Sequence, residues 1–244
     1  MKKKIFYLFV LMNLSLFSAN NNNFEDIPDS PSDLFRESQS KMEKKQYNGA
    51  IDDIKTIVSK NPGNASPHIE LARAYIKSGN IKLAYSEYEK AVSISGGNDG
   101  DLIFEYGDFA FRDKMYEKAM NIFLKDKTGS YKNDFGVAVS SRFLGNYARA
   151  ETYYKRVIGK NSSITEAYLG LAITYQLKKD YDNAVVYFEK YIQRKKSEEV
   201  YIVLSSIYIY KKDYSNAKRI VEKGIADYPD SEKLKKISQE VYSK

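Results

Sequence analysis

Cysteine and tryptophan are absent from this 244-residue chain, and histidine occurs once, as His68. Without cysteine the chain has no disulfides, no thiolate metal sites and no thiol nucleophiles. A single histidine excludes a metal site built from several imidazoles, and it excludes catalysis that needs two of them. These absences remove several common routes to a metalloenzyme or a covalent catalyst.

Motifs that carry chemistry are missing as well. The sequence contains no phosphate-binding loop, no spaced set of metal ligands and no nucleophile elbow. Its carboxylates are scattered through predicted helices at surface spacing, so no acid–base pair stands out. We therefore predict that the protein is not an enzyme and that it has no catalytic residues, no metal site and no cofactor.

The amino terminus has the composition of an export signal. Residues 1–19, MKKKIFYLFVLMNLSLFSA, consist of three lysines, a short and mostly apolar stretch, and a small residue, Ala19, at the end. This pattern is typical of a signal peptide and is too short for an ordinary membrane span. We expect an exported, periplasmic protein. Because Phe17 is bulky for a cleavage site, an uncleaved anchor in the inner membrane is the alternative.

A polar leader follows the signal. Residues 20–33, NNNNFEDIPDSPSD, hold too little apolar surface to order themselves, so we predict a flexible segment. The whole chain carries 39 basic and 32 acidic residues, and removing the three lysines of the signal leaves 36 basic ones. That surplus is too small to argue for nucleic acid, and we predict no nucleic-acid partner.

One repeated pattern organises the rest of the chain. The stretch KKDYDNA at residues 178–184 returns as KKDYSNA at 211–217. An alanine recurs every 31 to 35 residues, at Ala50, Ala84, Ala119, Ala150, Ala184 and Ala217. Apolar or aromatic residues lie three before and four after each alanine, which is helical spacing. A period of this length predicts stacked helical repeats.

A second helix is predicted before each of these helices. It has one small residue midway in every repeat: Ser38, Ala72, Gly107, Ala138, Ala172 and Ser205. A small side chain there, with the alanine of the partner helix, lets two helix backbones approach closely. Short polar turns join the paired helices, and Gly or Asn in some of them suits the left-handed conformation that ends a helix.

This pattern resembles the tetratricopeptide repeat, as in Leu171-Ala172 with Tyr175, followed by Ala184 and Phe188. The resemblance implies an all-α fold, a tetratricopeptide-type α-solenoid of about six helix-turn-helix repeats with a C-terminal capping helix. We predict the repeats at residues 31–64, 65–99, 100–130, 131–164, 165–197 and 198–229, and the capping helix at 230–244.

The slot that opens the first helix of each repeat is aromatic in the family, and here it holds Leu34, His68, Ile103, Asp134, Tyr168 and Tyr201. His68 occupies this slot in the second repeat, and we interpret it as a packed helix residue. Asp134 occupies it in the fourth repeat and does not fit the pattern, which makes the fourth repeat the weakest match.

The resemblance also implies a concave groove, lined by the first helices, that holds extended or helical peptides. The predicted groove residues are Phe35, Ile69, Arg73, Ile76, Phe104, Asp108, Phe111, Phe135, Val139, Arg142, Leu169, Ile173, Gln176, Ile202 and Ile209. Most are apolar, so the groove is expected to take an apolar or amphipathic protein segment. The alternative is that these residues mainly pack the first helices against each other.

Basic residues recur in the turns between paired helices. They are Lys44, Lys45, Lys77, Arg112, Lys114, Lys178, Lys179, Lys211 and Lys212. One interpretation is a solvated turn that tolerates lysine. The other is an edge attracted weakly to an anionic membrane surface or an acidic protein.

These features together favour a non-enzymatic interaction scaffold or adaptor in a bacterial cell envelope, acting as an assembly factor for envelope complexes. A self-associating structural component is one alternative. A glycan-binding module is another, because the 22 tyrosines include rings suited to stacking on sugars. The sequence leaves the partner's identity and the oligomeric state open.

Overall fold

The structure is a computed structural model that describes residues 31–244. The expected signal peptide, residues 1–19, and residues 20–30 of the expected leader lie outside the described residues. Residues 31–33, which the sequence assigned both to the leader and to the first repeat, form the start of a helix.

All regular secondary structure between residues 31 and 244 is helical, which confirms the all-α prediction. Thirteen helices follow one another in this part of the chain. They are α1 Pro31–Glu43, α2 Tyr47–Lys60, α3 Ala65–Lys77, α4 Ile81–Ser95, α5 Gly100–Arg112, α6 Tyr116–Phe123, α7 Tyr131–Phe143, α8 Tyr147–Lys160, α9 Thr165–Leu177, α10 Tyr181–Ile192, α11 Glu198–Tyr210, α12 Tyr214–Asp227 and α13 Glu232–Tyr242. The first twelve form six pairs joined by short turns, and α13 follows the last pair, as predicted.

The chain divides into two compact units, with the boundary inside α7. The N-terminal unit ends at Asn133, and the C-terminal unit runs from Asp134 to Lys244. Within each unit, a helix packs against its pair partner and against a helix of the neighbouring repeat. Each unit therefore has the layered, neighbour-to-neighbour packing of a repeat protein.

Small residues lie where the paired helices are closest. All six repeat alanines and all six small residues of the first helices are buried. At Gly107 a β-carbon would lie 2.3 Å from the ring of Phe123, and at Gly170 it would lie 2.3 Å from the ring of Tyr154. These distances are far inside van der Waals contact, so the backbone of α5 and that of α9 approach their neighbours only because no side chain intervenes.

Every turn between paired helices has the same backbone geometry. One residue in each turn has a positive φ: Lys45, Gly79, Lys114, Gly145, Lys179 and Lys212. The next residue donates its N–H to the carbonyl five positions earlier, as Asp180 does to Tyr175 at 2.9 Å. This is a Schellman motif. Lysine occupies the left-handed position in four of the six turns, where the sequence had suggested glycine and asparagine.

The short interval in the third repeat has a local cause. Helix α6 contains only eight residues and ends at Phe123. The loop that follows is held by Asp126, whose carboxylate accepts hydrogen bonds from the N–H and hydroxyl of Thr128 and from the N–H of Ser130. Lys127 donates its N–H to the carbonyl of Gly97 at 2.9 Å. The loop replaces the last turn of a full-length helix.

Helix α13 caps the final repeat. Its first turn is fixed by Ser231, whose hydroxyl accepts a hydrogen bond from the N–H of Leu234. Leu234 and Val241 are buried, and the helix packs on both α11 and α12. The other face is rich in lysine, glutamate and glutamine, so it ends the stack with a polar surface.

Candidate functional site

The predicted groove residues of the N-terminal unit lie on α1, α3 and α5. Phe35, Ile69 and Ile76 are half-buried, and Arg73 is exposed. The three residues of α5 are buried: Phe104, Asp108 and Phe111. In this unit the part of the predicted groove open to a ligand is therefore on α1 and α3.

The predicted groove residues of the C-terminal unit divide in the same way. Phe135, Val139, Arg142 and Leu169 are buried. Those that remain half-buried lie on α9 and α11: Ile173, Gln176, Ile202 and Ile209. Charged residues in these two helices are confined to the first turn, at Glu166 in α9 and at Glu198 and Glu199 in α11. The open residues thus form an uncharged and mostly aliphatic strip, which we call the aliphatic strip.

Arg73 is held by two carboxylates. Its Nε donates to Glu105 Oε1 at 2.7 Å, its Nη1 donates to Glu70 Oε1 at 2.6 Å, and its Nη2 donates to Glu105 Oε2. Tyr88 donates its hydroxyl to the same Glu105 Oε1 at 2.6 Å. A guanidinium fixed at both ends of its planar fork is a rigid, oriented charge.

This cluster shifts the ionisation of its members. Burial raises the pKa of Glu70, and the neighbouring Glu105 adds to the increase while Arg73 opposes it. The hydrogen bonds to Glu105 raise the pKa of Arg73 well above its ordinary value despite partial desolvation. Sequence reasoning missed both glutamates. The available signal was their spacing, because each directly follows a predicted groove residue in consecutive repeats, Ile69 and Phe104.

Asp108 is a buried carboxylate that is only half satisfied. Its Oδ2 pairs with Arg112 Nη2 at 2.5 Å, whereas its Oδ1 has no hydrogen-bond donor among the described residues. Burial raises the pKa of Asp108, and Arg112 opposes that increase. A buried carboxylate oxygen without a donor favours protonation of the carboxyl group, or binding of a ligand that donates a hydrogen bond to that oxygen.

His68 is engaged inside the second repeat. Its Nδ1 lies 2.6 Å from Glu87 Oε2, and its Nε2 lies 3.4 Å from the carbonyl oxygen of Pro62. Lys90 donates to the other oxygen of Glu87 at 2.7 Å. His68 is buried, so it occupies its slot as the packed helix residue that the sequence predicted.

Asp134 is accommodated by two cations from the partner helix. It is buried at the aromatic slot of the fourth repeat. Its Oδ2 accepts hydrogen bonds from Arg156 Nε at 3.1 Å and from Lys160 Nζ at 2.5 Å, both in α8. An ion-paired carboxylate thus replaces the aromatic ring, which explains the misfit in the pattern.

The basic turns divide into paired and unpaired residues. Lys178 Nζ lies 2.6 Å from Glu151, Lys211 pairs with Asp182, and Arg112 pairs with Asp108. The other side chains of this set form no ion pair within residues 31–244: Lys44, Lys45, Lys77, Lys114, Lys179 and Lys212. All six are exposed.

Across residues 31–244, no three His, Asp or Glu side chains are grouped so that they would hold a metal ion. No helix in that same range combines the length and the apolar composition needed to cross a membrane.

Family models for the tetratricopeptide repeat match residues 41–92, 140–199 and 198–226, which together cover more than half of the chain. With the six helical pairs and their buried small residues, these matches show that the chain belongs to the tetratricopeptide repeat family. Repeats of this family are typically interaction scaffolds. No curated protein is similar enough in sequence to count as a match.

Several solved structures share the fold. The C-terminal part of a tetratricopeptide repeat protein from Cytophaga hutchinsonii is 20% identical, with a TM-score of 0.74, over 86% of this chain and 88% of that one. PilW, a type IV pilus biogenesis factor, is 20% identical, with a TM-score of 0.59, over 86% and 99%. YrrB, described as having an unusual peptide-binding site, is 18% identical, with a TM-score of 0.62, over 76% and 97%.

Proposed function

We propose that the protein is a non-enzymatic scaffold that binds a segment of a partner protein along the first helices of its repeats. The observation that carries this proposal is the aliphatic strip on α9 and α11. Ile173, Ile202 and Ile209 are only half-buried, and no charged residue lies beside them beyond the first turn of α9 or α11. Aliphatic surface left open in this way favours a protein ligand.

The two units offer different chemistry to such a ligand. The aliphatic strip suits an uncharged apolar face, as on an amphipathic helix or an extended segment. In the N-terminal unit, the exposed Arg73 presents a fixed cation on the same helix as Ile69 and Ile76. A segment bound there would bring polar groups as well as apolar ones. YrrB, which shares this fold, is described by its peptide-binding site, and this supports a peptide-like ligand.

We further propose that the protein is exported and acts in a bacterial cell envelope as an assembly factor. The signal pattern of residues 1–19 supports export, with anchorage in the inner membrane as the alternative if the signal is not removed. PilW, a pilus biogenesis factor of the same fold, is an example of such a role in another protein.

Two further modes of contact belong to this proposal. Self-association through the repeat faces is the alternative in which the ligand is a second copy of the chain. A weak association with anionic membrane surfaces would use the lysines of the turns. Glycan binding has less support, because several tyrosines of the repeats are fully buried, namely Tyr88, Tyr106, Tyr154 and Tyr201.

Capture of partners from the protein's own cells tests the scaffold role. Replacing both Ile173 and Ile202 by aspartate places charges on the aliphatic strip, and we expect captured partners to be lost. Val186→Asp, at an exposed position of α10, is the matched control and keeps them. Circular dichroism checks that all variants fold, and light scattering separates a foreign partner from self-association. Undiminished capture by the double variant contradicts the proposal.

A further inference from the structure

Exposed apolar side chains line the helix turns of the C-terminal unit. Leu144 is 43% exposed, Leu177 is 37% exposed and Tyr210 is 70% exposed. Leu177 and Tyr210 are the last residues of α9 and α11, in the fifth and sixth repeats, and Leu144 directly follows the last residue of α7 in the fourth repeat. Lysines follow directly in the fifth and sixth turns. We call this set the amphipathic edge, and it consists of Leu144, Leu177, Tyr210, Lys178, Lys179, Lys211 and Lys212.

Contacts between neighbouring repeats make the edge continuous. The rings of Tyr181 and Tyr210 have centroids 4.9 Å apart, which joins the fifth turn to the sixth. Lys178 reaches back to Glu151 of the fourth repeat at 2.6 Å, and Lys211 pairs with Asp182 of the fifth. The three turns therefore lie side by side along one border of the C-terminal unit.

One turn position distinguishes the two units, although an exposed apolar residue, Met115, also lies in the third turn. The residue two positions before the left-handed turn residue is Glu43, Lys77 or Arg112 in the first three repeats. In the last three repeats the same position holds Phe143, Leu177 or Tyr210. On neighbouring turns, large apolar residues beside lysines give this border an amphipathic surface.

The charges of the edge leave a small positive surplus. Lys178 and Lys211 are paired, whereas Lys179 and Lys212 form no ion pair within the described residues. Asp180 and Asp213 cap α10 and α12 by accepting the N–H of Asn183 and that of Asn216. Carboxylates at helix N-termini are offset by the helix dipole. The amines of Lys179 and Lys212 therefore lie near carboxylates that already accept hydrogen bonds at helix N-termini.

We propose that the amphipathic edge docks on a lipid bilayer that contains anionic lipids. Leucine enters the region below the headgroups, the tyrosine ring lies at the headgroup level, and the lysine amines reach the phosphates. Protruding turns with this mixture fit a broad interface, whereas a peptide ligand fits the helix faces. This inference rests on the weak association with anionic membranes proposed above and adds insertion of specific side chains.

Because the chain contains no tryptophan, one introduced tryptophan can serve as the fluorescent reporter of insertion. The full chain is prepared as Tyr210→Trp, with Ile94→Trp as the control. Ile94 is 39% exposed and lies at the far end of α4 from its turn. Vesicles of phosphatidylcholine, with and without phosphatidylglycerol, are added. With phosphatidylglycerol, we expect the emission of the reporter at 210 to shift to the blue and to be quenched by brominated lipid. The reporter at 94 should show neither change.

Second substitutions separate charge from insertion. Replacing Lys179 and Lys212 by glutamine should weaken vesicle binding by about fivefold for each lysine. Leu177→Asp should remove quenching at position 210. Vesicle binding itself is measured by flotation. If the chain does not float with any vesicle, both the membrane association and the inference are overturned. Flotation that depends on phosphatidylglycerol, without quenching at 210, overturns insertion alone. An N-terminal anchor would bring the chain to vesicles without quenching this reporter, so it is distinguished as well.

Discussion

At Gly170 a single missing carbon decides how closely α9 approaches α8. The ring of Tyr154, one of the largest fully buried side chains, lies 2.3 Å from the point where a β-carbon would be. Gly107 has the same relation to Phe123 in the N-terminal unit. The contact is set by the rigid end of an aromatic side chain, which has little room to retreat in a packed core.

Replacing Gly170 by alanine should therefore destabilise the protein. Overpacking of this kind costs about 1–3 kcal/mol of unfolding free energy. Gly159→Ala is the matched control, because no atom lies within 4 Å of the β-carbon that would be added there in α8. That change should stabilise by about 0.5–1 kcal/mol through helix propensity. Urea unfolding measures both. Equal effects of the two substitutions would contradict this account of the helix contact.

Individual residues also show what the sequence predicted well and what it did not. The burial of the small residues was predictable from their period, because close helix packing admits few residue types at those positions. The exposure of the predicted groove residues did not follow. Phe104 and Phe111 are buried, whereas Ile69 and Ile76 stay half-open. Apolar spacing identifies a helix face, but the neighbouring elements decide how much of that face remains open.

Among the elements, the six turns keep one backbone geometry even where the residue present does not favour it. The Schellman motif requires a left-handed residue, and lysine adopts it at Lys45, Lys114, Lys179 and Lys212. A side chain in this conformation costs roughly 1–2 kcal/mol relative to the right-handed region. The sequence predicted the position of the turns, but lysine gives no local signal for a positive φ, so the strain was not predictable.

Substituting glycine at a left-handed lysine should stabilise the protein. For Lys114→Gly we expect a gain of about 0.5–1 kcal/mol, because the relief of strain exceeds the extra chain entropy of glycine. Lys77→Gly, in the last turn of α3, is the control and should destabilise by about 0.5–1 kcal/mol. Thermal and urea unfolding report both changes. A loss of stability in Lys114→Gly would contradict the claim that the left-handed lysine is strained.

Charged contacts also join α8 to α9. Glu151 accepts hydrogen bonds from Lys155 at 2.8 Å, from Lys178 at 2.6 Å and from the hydroxyl of Tyr175 at 2.8 Å. Burial alone would raise the pKa of Glu151, but these three donors lower it to about 2. The ionised carboxylate thus stabilises the contact between the fourth and fifth repeats.

This pKa predicts a specific acid sensitivity. Because the folded-state value lies below the ordinary 4.5, the contribution of Glu151 is fully present above that pH and is lost as the pH falls toward 2. Glu151→Gln should lower the unfolding free energy at neutral pH by on the order of 1 kcal/mol after solvent screening. Most of this difference should vanish near pH 2. Glu117→Gln, at an exposed position of α6, is the control. A difference that does not depend on pH would contradict the assignment.

Over the whole molecule, the repeat period and the surface chemistry carry separate information. The period of 31 to 35 residues predicted six helical pairs and a capping helix, because each pair must bury the same stripe against its neighbour. Surface residues are free of that constraint. They make the N-terminal unit charged around Arg73, and they leave the C-terminal unit uncharged along α9 and α11 beyond the first turn of each helix.

The central claim is that partners bind along the first helices. Site-specific photo-crosslinking in the protein's own cells tests it most directly, with a photoreactive residue at Ile173 or Ile202 and, for comparison, at the exposed outer positions Leu83 and Val186. The account predicts that one defined partner segment crosslinks at 173 and 202 and that the outer positions give no such product. Crosslinks that form only from Leu83 or Val186 would contradict it.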